Sequence, residues 1–303
     1  MTATRRTGVA LALATAVISG FSVFVNAYGV RTFPDATTYT TAKNLVAALV
    51  LVGLVAFAPG RSIGLTRPHG RRQWLGLAVI GTLGGSIPFV LFFEGLSRGS
   101  SAQTAVLHKT LVLWVAVLAI TLLRERLHWA HWLAVALLLV GQAGLGGGFP
   151  RLGSAELMVL AATLMWAVEV VIAKGLLASL SSWTIGVARM GLGSIVLLGW
   201  LLVRGDLGGL VRLTATQLGW ALLTGVLLAA YVGTWFAALQ RAQAVDVTAV
   251  LVLAVPITSA LDVAVRGAAV GPQAGWLVLV LLGGALAAVL GWRAQPAPVI
   301  AGA

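Results

Sequence analysis

Apolar residues run along this chain in stretches of about 20, the length a helix needs to cross the hydrocarbon of a bilayer. Short polar joints separate them. The pattern predicts ten membrane-spanning helices near residues 8–28, 37–58, 73–95, 101–123, 130–148, 154–175, 182–203, 215–239, 245–266 and 271–292. The longest joint, 59–72, is a loop of Pro, Gly and Arg that contains Pro59, Gly60, Arg61, Arg67, Pro68, Arg71 and Arg72. Almost nothing remains for an extramembrane domain, so any chemistry has to occur within or between helices.

The second five spans repeat the first five. Ala42-Lys43 recurs as Ala188-Arg189, Val50-Leu51 as Val196-Leu197 and Gly53 as Gly199 at a shift of 146. At a shift of 144, Gln73 recurs as Gln217, Gly81 as Gly225, Phe92 as Phe236, Thr104 to Leu107 as Thr248 to Leu251, and Trp132 as Trp276. The expected organisation is therefore a first five-helix repeat over 1–148, a second over 149–293 and a short tail over 294–303. An odd number of spans per repeat makes the second copy enter from the opposite face. The fold class is then all-α and integral to the membrane, with ten helices as two inverted five-helix repeats, a symmetry that permits alternating access around a site at the repeat interface.

Four segments carry a family resemblance. They are Phe92-Phe93-Glu94-Gly95-Leu96 closing the third span, His108-Lys109-Thr110 in the fourth, Leu123-Arg124-Glu125-Arg126-Leu127 after it, and Trp166 to Lys174 in the sixth. Together with the duplicated ten-span pattern, the chain resembles the EamA-type branch of the drug/metabolite transporter superfamily over nearly its whole length. The resemblance implies a ten-helix carrier with a central cavity, in a family that includes amino-acid and metabolite exporters. It also draws attention to one departure: the family's acid after the fourth span is present as Glu125, whereas its counterpart in the second repeat is Ala269.

Composition narrows the function classes. With 59% apolar and 9% charged residues and a mean hydropathy of +1.00 over 303 residues, too little polar surface exists to cover a soluble globule. The net charge of +12 sits at span ends, which suits anionic lipid head groups as partners rather than nucleic acid. There is no cysteine, so thiolate chemistry and disulfides are excluded, and the histidines at 69, 108, 128 and 131 do not form a metal-ligand pair. No metal site or cofactor is expected. Arg5-Arg6 before an apolar run is similar to a secretory or twin-arginine signal, but nine more spans follow and the run reads as a first span with a basic flank. Placing Arg5, Arg6, Arg61, Arg67, Arg71, Arg72, Arg124, Arg126, Lys174, Arg241 and Arg293 inside leaves the shorter set Arg31, Arg98, Arg151, Arg204, Arg212 and Arg266 outside. Both termini are thus expected in the cytoplasm, in the inner membrane of a bacterial cell.

Charges inside the spans mark candidate sites, because each costs at least about 2.5 kcal/mol at a helix centre facing lipid. These are Lys43, Glu94, Lys109, Glu169, Arg189 and Asp262. Glu94 with Arg98 and Asp262 with Arg266 are i,i+4 pairs at helix ends, a structural explanation that stands beside a gating or coupling role for both acids. Lys109 has Ala102, Ala105 and Ala116 on its helical face, a small-residue surface suited to a cavity or another helix. Topology puts Lys43, Glu94 and Lys109 in the outer half and Glu169 with Arg189 in the inner half, as two gates or the two ends of one site would be. Structural ion bridges would look the same. Thr15, Ser19, Ser22 and Asn26 form a polar stripe at helical period on the first span, for a cavity or for packing. Pro88 and Pro256 predict bends in the third and ninth spans. Gly141, Gly144 and Gly146 to Gly148, with Gly283-Gly284, allow close helix contact, either within the chain or in a homodimer.

The reading that follows is a secondary carrier of a small polar metabolite such as an amino acid, an exporter rather than an enzyme, working by alternating access. Lys109, Lys43, His108, Trp166, Tyr231, Asn26 and Ser22 are the expected substrate contacts. Glu169, Arg189, Glu94 and Asp262 are the expected gating or coupling residues, with Glu169 the proton carrier if transport is proton-driven. The rivals are a lipid-modifying membrane enzyme, for which no acid/base or metal cluster is evident, and a channel, which the paired opposite charges disfavour.

Overall fold

The structure is a computed structural model that describes residues 2–57, 64–99, 101–148, 152–267, 269 and 271–293. The expected Pro59, Gly60, Arg61, Arg151 and the 294–303 tail lie outside the described residues. In chain order the helices are α1 (Thr2–Gly29), α2 (Ala36–Phe57), α3 (Gly70–Gly85), α4 (Ile87–Arg98), α5 (Ser101–Lys109), α6 (Leu111–Leu122) and α7 (Trp129–Leu145). The second half supplies α8 (Ser154–Leu176), α9 (Ser182–Arg204), the short α10 (Leu207–Val211), α11 (Ala215–Arg241), α12 (Ala244–Leu251), α13 (Ala254–Arg266) and α14 (Ala274–Arg293). No strand occurs among the described residues. Spans 3, 4 and 9 are the broken pairs α3/α4, α5/α6 and α12/α13.

Among the described residues nine helices are long and apolar enough to cross a membrane, and α7 is a shorter apolar tenth. Its 17 residues still reach about 25 Å at the 1.5 Å rise of a helix. The predicted fifth span ends three residues early because Gly147 and Gly148 take positive φ values of 80° and 114°, which terminate the helix.

The breaks have local causes. Pro88 sits in the first turn of α4 and cannot donate to Gly84, and the chain turns at Ser86 (φ −142°, ψ −79°). In span 9 the helix tightens into i→i−3 bonds just before Pro256, with Leu253 N–H donating to the Val250 carbonyl at 3.0 Å. Both prolines act as expected. The matching break in span 4 was not foreseen, since no proline marks it: Thr110 donates its hydroxyl to the Leu107 carbonyl at 2.6 Å, and Leu113 N–H bonds Thr110 at 2.9 Å.

Packing follows the duplication. Gly81 of α3 lies against Leu192 of α9, and its counterpart Gly225 of α11 lies against Val46 of α2, where Val46 and Leu192 are themselves equivalent at the shift of 146. One helix crossing is thus built twice. Gly85 and Gly193 bring the α3 and α9 backbones into direct contact, where a Cβ on Gly193 would come within 2.7 Å of the other backbone. The glycines of spans 5 and 10 are also resolved: Gly141 faces Val280, Gly144 faces the Trp276 ring and Gly283 faces Leu138. These contacts fall within the chain.

One face of the bundle carries Arg5, the ends of α6, α8 and α11 and the starts of α7, α9 and α12; it is called the Arg5 face below. There Ser181 caps α9 by accepting from Thr184 N–H at 3.1 Å and donates to the Gly64 carbonyl at 2.7 Å, tying the long loop to the α8–α9 joint.

Candidate functional site

The site grows out of the break in span 3. Pro88 lacks the N–H that would bond the Gly84 carbonyl, and Phe89 N–H turns to Ser86 at 2.9 Å and leaves the Gly85 carbonyl free as well. Side chains from other helices take both acceptors. Trp166 Nε1 of α8 donates to Gly84 at 3.2 Å, and Asn44 Nδ2 of α2 donates to Gly85 at 3.2 Å. A proline that would leave two buried carbonyls unsatisfied therefore locks α2, α3 and α8 together.

On one side of this break stands Lys43, buried at 7% exposure. Its Nζ donates to Asn26 Oδ1 at 3.1 Å, and the Tyr39 hydroxyl donates to the same oxygen at 2.6 Å. Asn26 is oriented by its own Nδ2, which donates to the Ser22 carbonyl at 2.6 Å and hydroxyl at 3.0 Å. The polar stripe on span 1 thus divides: Asn26 and Ser22 belong to the site, while Thr15 bonds back to the Leu11 carbonyl at 2.7 Å. The ammonium also lies 5.2 Å from the Tyr39 ring centre, 5.7 Å from Phe93 and 6.0 Å from Phe89, within cation–π range. No acidic side chain pairs with Lys43 among the described residues.

On the other side stands the buried Arg189–Glu169 pair. Arg189 Nε donates to Glu169 Oε1 at 2.6 Å and Nη2 to Oε2 at 3.5 Å. Gly84 makes room for it, because a Cβ there would overlap the Glu169 carboxyl group. The Arg189 Cζ lies 5.9 Å from the Phe89 ring centre. The two charge clusters, expected to be either two gates or the two ends of one site, are therefore neighbours at a single ring. The long lysine and arginine side chains reach that ring from α2 and α9. With Glu169 ionised the group holds one positive charge beyond neutrality.

Aromatic rings line the group. Phe89 meets Trp166 edge-on at 5.3 Å, Phe92 lies 5.6 Å from Trp166, and His108 lies 5.0 Å from Trp166 and 5.2 Å from Phe92. The buried His108 Nδ1 has no hydrogen-bond partner among the described residues. Tyr231 of α11 stacks on Trp235 at 6.0 Å and is close enough to the Arg189–Glu169 pair to interact with both charges.

The remaining expected residues fall elsewhere. Lys109, next to His108, turns away from this group to line a cavity of about 250 Å³ with Ala105 beside it. Of its small-residue face, expected to suit a cavity or another helix, Ala105 lines this cavity and Ala116 is buried; the side chain of Ala102 lies outside the described residues. Glu94 ion-pairs with Arg98, both well exposed, and Asp262 bonds Arg266 at 2.9 Å, as the i,i+4 spacing predicts.

One further group carries no signal in the sequence. Asp246 in the first turn of α12 is 1% exposed; Arg5 Nη2 of α1 approaches it at 2.8 Å and His131 Nε2 of α7 at 3.3 Å. Nearby, Glu125 Oε1 accepts from Ala244 N–H at 2.9 Å, and Lys174 Nζ donates to the Leu239 and Ala242 carbonyls at 2.6 Å each. These contacts tie spans 1, 4, 5, 6, 8 and 9 together across the Arg5 face. Burial pushes the Glu125 carboxyl above the ordinary glutamate range, against the opposing pull of the Ala244 N–H and Lys174. Asp246 has Ala102 as its repeat counterpart, so the duplication offered no signal for it.

Comparison with known proteins agrees with this architecture. The model of the EamA-like transporter family matches residues 6–146 and again residues 153–290. None of the curated proteins matches the chain. A solved structure described only as "Crystal structure of protein" is similar at a TM-score of 0.76 and 17% identity, over 93% of this chain and 98% of that one. That likeness concerns the fold alone.

Proposed function

We propose, from the fact that this chain belongs to the EamA-like transporter family, that it is a secondary carrier of a small polar metabolite bearing a carboxylate or comparable anionic group. The observation that carries the reading is Lys43: a buried ammonium with no acidic partner among the described residues, against the same Phe89 ring as an ion pair that neutralises its own charge. A buried cation left without a counter-charge is costly. A substrate anion would supply the missing charge, with Asn26 and Tyr39 orienting the ammonium, and Trp166, Phe89 and Phe93 forming apolar walls.

Transport would proceed by alternating access. The Arg5 face is held by Arg5–Asp246, Glu125 with the start of α12, and Lys174 with the end of α11, and release of these contacts would open it. Spans 4 and 9 are each broken at mid-length, at equivalent positions of the two repeats, and suit the role of bending elements. Glu169 is the group that would carry a proton, since protonation weakens its hold on Arg189 and changes the charge next to the substrate position. We place the Arg5 face in the cytoplasm of a bacterial cell, by the excess of basic residues there, and the direction as export.

A thermal-shift screen of the purified protein against amino acids, nucleosides and organic acids identifies the ligand, and counterflow in proteoliposomes tests the carrier. Acidic or zwitterionic ligands should stabilise the protein, and preloaded substrate should accelerate labelled uptake. A channel would show no such acceleration, and stabilisation by cationic compounds alone would refute the assigned substrate class.

A further inference from the structure

We propose that the cleft beside Lys109 is a binding site for an anionic phospholipid, distinct from the central group around Lys43. Spans 4 and 9 touch through α6 and α12, but their other halves, α5 and α13, part and leave a cavity of about 250 Å³. Lys109 and Gln142 line it from α5 and α7, with Thr258 and Ser259 opposite on α13. Two donors there are unused. Lys109 makes no hydrogen bond or ion pair among the described residues, and Gln142, 4% exposed, has a buried Nε2 without a partner. An ammonium and an amide N–H without acceptors in one cavity call for an oxygen-rich anion, since buried donors otherwise bear the full cost of desolvation.

The shape beside this cavity indicates that the anion is an amphiphile. A second cleft of about 300 Å³ shares Ser259 and Gln273 with the first and continues between α13 and α14 along Val263, Leu277 and Leu281. Val263 and Leu281 are both exposed on this side of the bundle, where the surrounding solvent is lipid. Its one acid, Asp262, is engaged by Arg266. A polar pocket with a free cation, joined to an apolar groove, matches a phosphate head group with an acyl chain. The pocket lies at the appropriate level: Gly146 and Gln273 flank the ends of α7 and α14, and Lys109 sits about 12 Å into α5 at the helical rise, within reach of the interface by snorkelling.

The test is native mass spectrometry of the full chain in detergent with dioleoyl phosphatidylglycerol, dioleoyl phosphatidylcholine or inorganic phosphate. Wild-type protein should retain the glycerol lipid in preference to the choline lipid. Lys109→Met should lower that occupancy about fivefold, the weight of one lysine at an anionic lipid surface. Gln142→Leu should lower it as well, Lys109→Arg should keep it, and Arg72→Met, which removes an exposed charge elsewhere, should leave it unchanged. If Lys109→Met does not fold, Gln142→Leu and Val263→Trp, which fills the groove, decide the matter. Full occupancy in those variants, or equal retention of both lipids, overturns the site. Displacement of the lipid by inorganic phosphate shows a free-anion site and overturns the lipid assignment. Counterflow activity is read separately, so failure here leaves the carrier reading intact.

Discussion

Lys43 and Arg189, equivalent cations 146 positions apart in the two repeats, lie against one phenylalanine: the Phe89 ring centre lies 6.0 Å from the Lys43 ammonium and 5.9 Å from the Arg189 guanidinium. Among the described residues Arg189 has a carboxylate of its own and Lys43 has none. Duplication supplied two like charges at the repeat interface, and Glu169 neutralises one of them, so the two positions are chemically unequal within a nearly symmetric frame.

Replacing Lys43 by Met removes the unpaired charge and keeps most of the stem. Expression and monodispersity should survive. Affinity for an anionic ligand found by the thermal screen should fall about 10- to 100-fold, the range of one hydrogen bond to a charged group. Titration of that ligand by thermal shift, beside counterflow, measures it. Wild-type affinity in the variant would remove Lys43 from the substrate site.

Glu169→Gln leaves Arg189 buried without its counter-charge, and breaking a buried pair in this way costs about 3–5 kcal/mol. The variant should lose both thermal stability and transport, and the exchange Glu169→Arg with Arg189→Glu should recover part of each. Gly84→Ala should mimic Glu169→Gln, because the added methyl occupies the space of the carboxyl group.

Trp166→Phe deletes the donor to the Gly84 carbonyl and should destabilise the protein by about 1–3 kcal/mol, the cost of an unsatisfied buried acceptor. Pro88→Ala restores a backbone N–H aimed at the same carbonyl. The double variant should therefore be more stable than the sum of the single changes, which thermal melts of the four proteins would reveal as a non-additive cycle. Strict additivity would mean that the proline break and the tryptophan are independent.

Glu125 lies outside the spans, and its carboxyl titrates above the usual glutamate value. A raised folded-state value means that the unfolded chain loses its proton first. The contribution of this group to stability is therefore fully present below the ordinary value of 4.5 and lost as pH rises through the folded-state value. Glu125→Gln removes that dependence while its amide oxygen can still accept from Ala244 N–H. The melting temperature of the wild type relative to the variant should decline across this interval and then level off, whereas a constant difference would contradict the assignment.

Both chain ends should report from the cytoplasm. Fusions at the C-terminus with a phosphatase active only after export and a fluorescent protein active only inside should give fluorescence alone. Phosphatase activity at the C-terminus would invert the orientation or change the span count.

The span pattern, the duplication and the buried charges were all legible in the chain, because each rests on a local rule: about 20 apolar residues cross a bilayer, ionised side chains avoid lipid, and a duplicated segment keeps its spacing. Those rules singled out Lys43, Glu169 and Arg189 as charges within spans, the helical period of the polar stripe added Asn26, and the lack of a proline N–H marked the bends at Pro88 and Pro256. What they could not decide is direction across space. Neighbours in sequence, His108 and Lys109 diverge, one against the Trp166 and Phe92 rings and the other into the cavity of about 250 Å³, because one residue of helix turns a side chain by about 100°. Lys43 and Arg189, assigned to opposite halves by helix position, lie against the same ring because α2 and α9 pack together and the side chains are long. Asp246, whose repeat counterpart is an alanine, carried no signal along the chain; packing set Arg5 and His131 against it from helices far away in the sequence. Membrane insertion depends on one helix at a time and can be read residue by residue. A site depends on which faces of several helices meet, and only close packing, governed here by glycines such as Gly84, Gly85 and Gly193, chooses those faces.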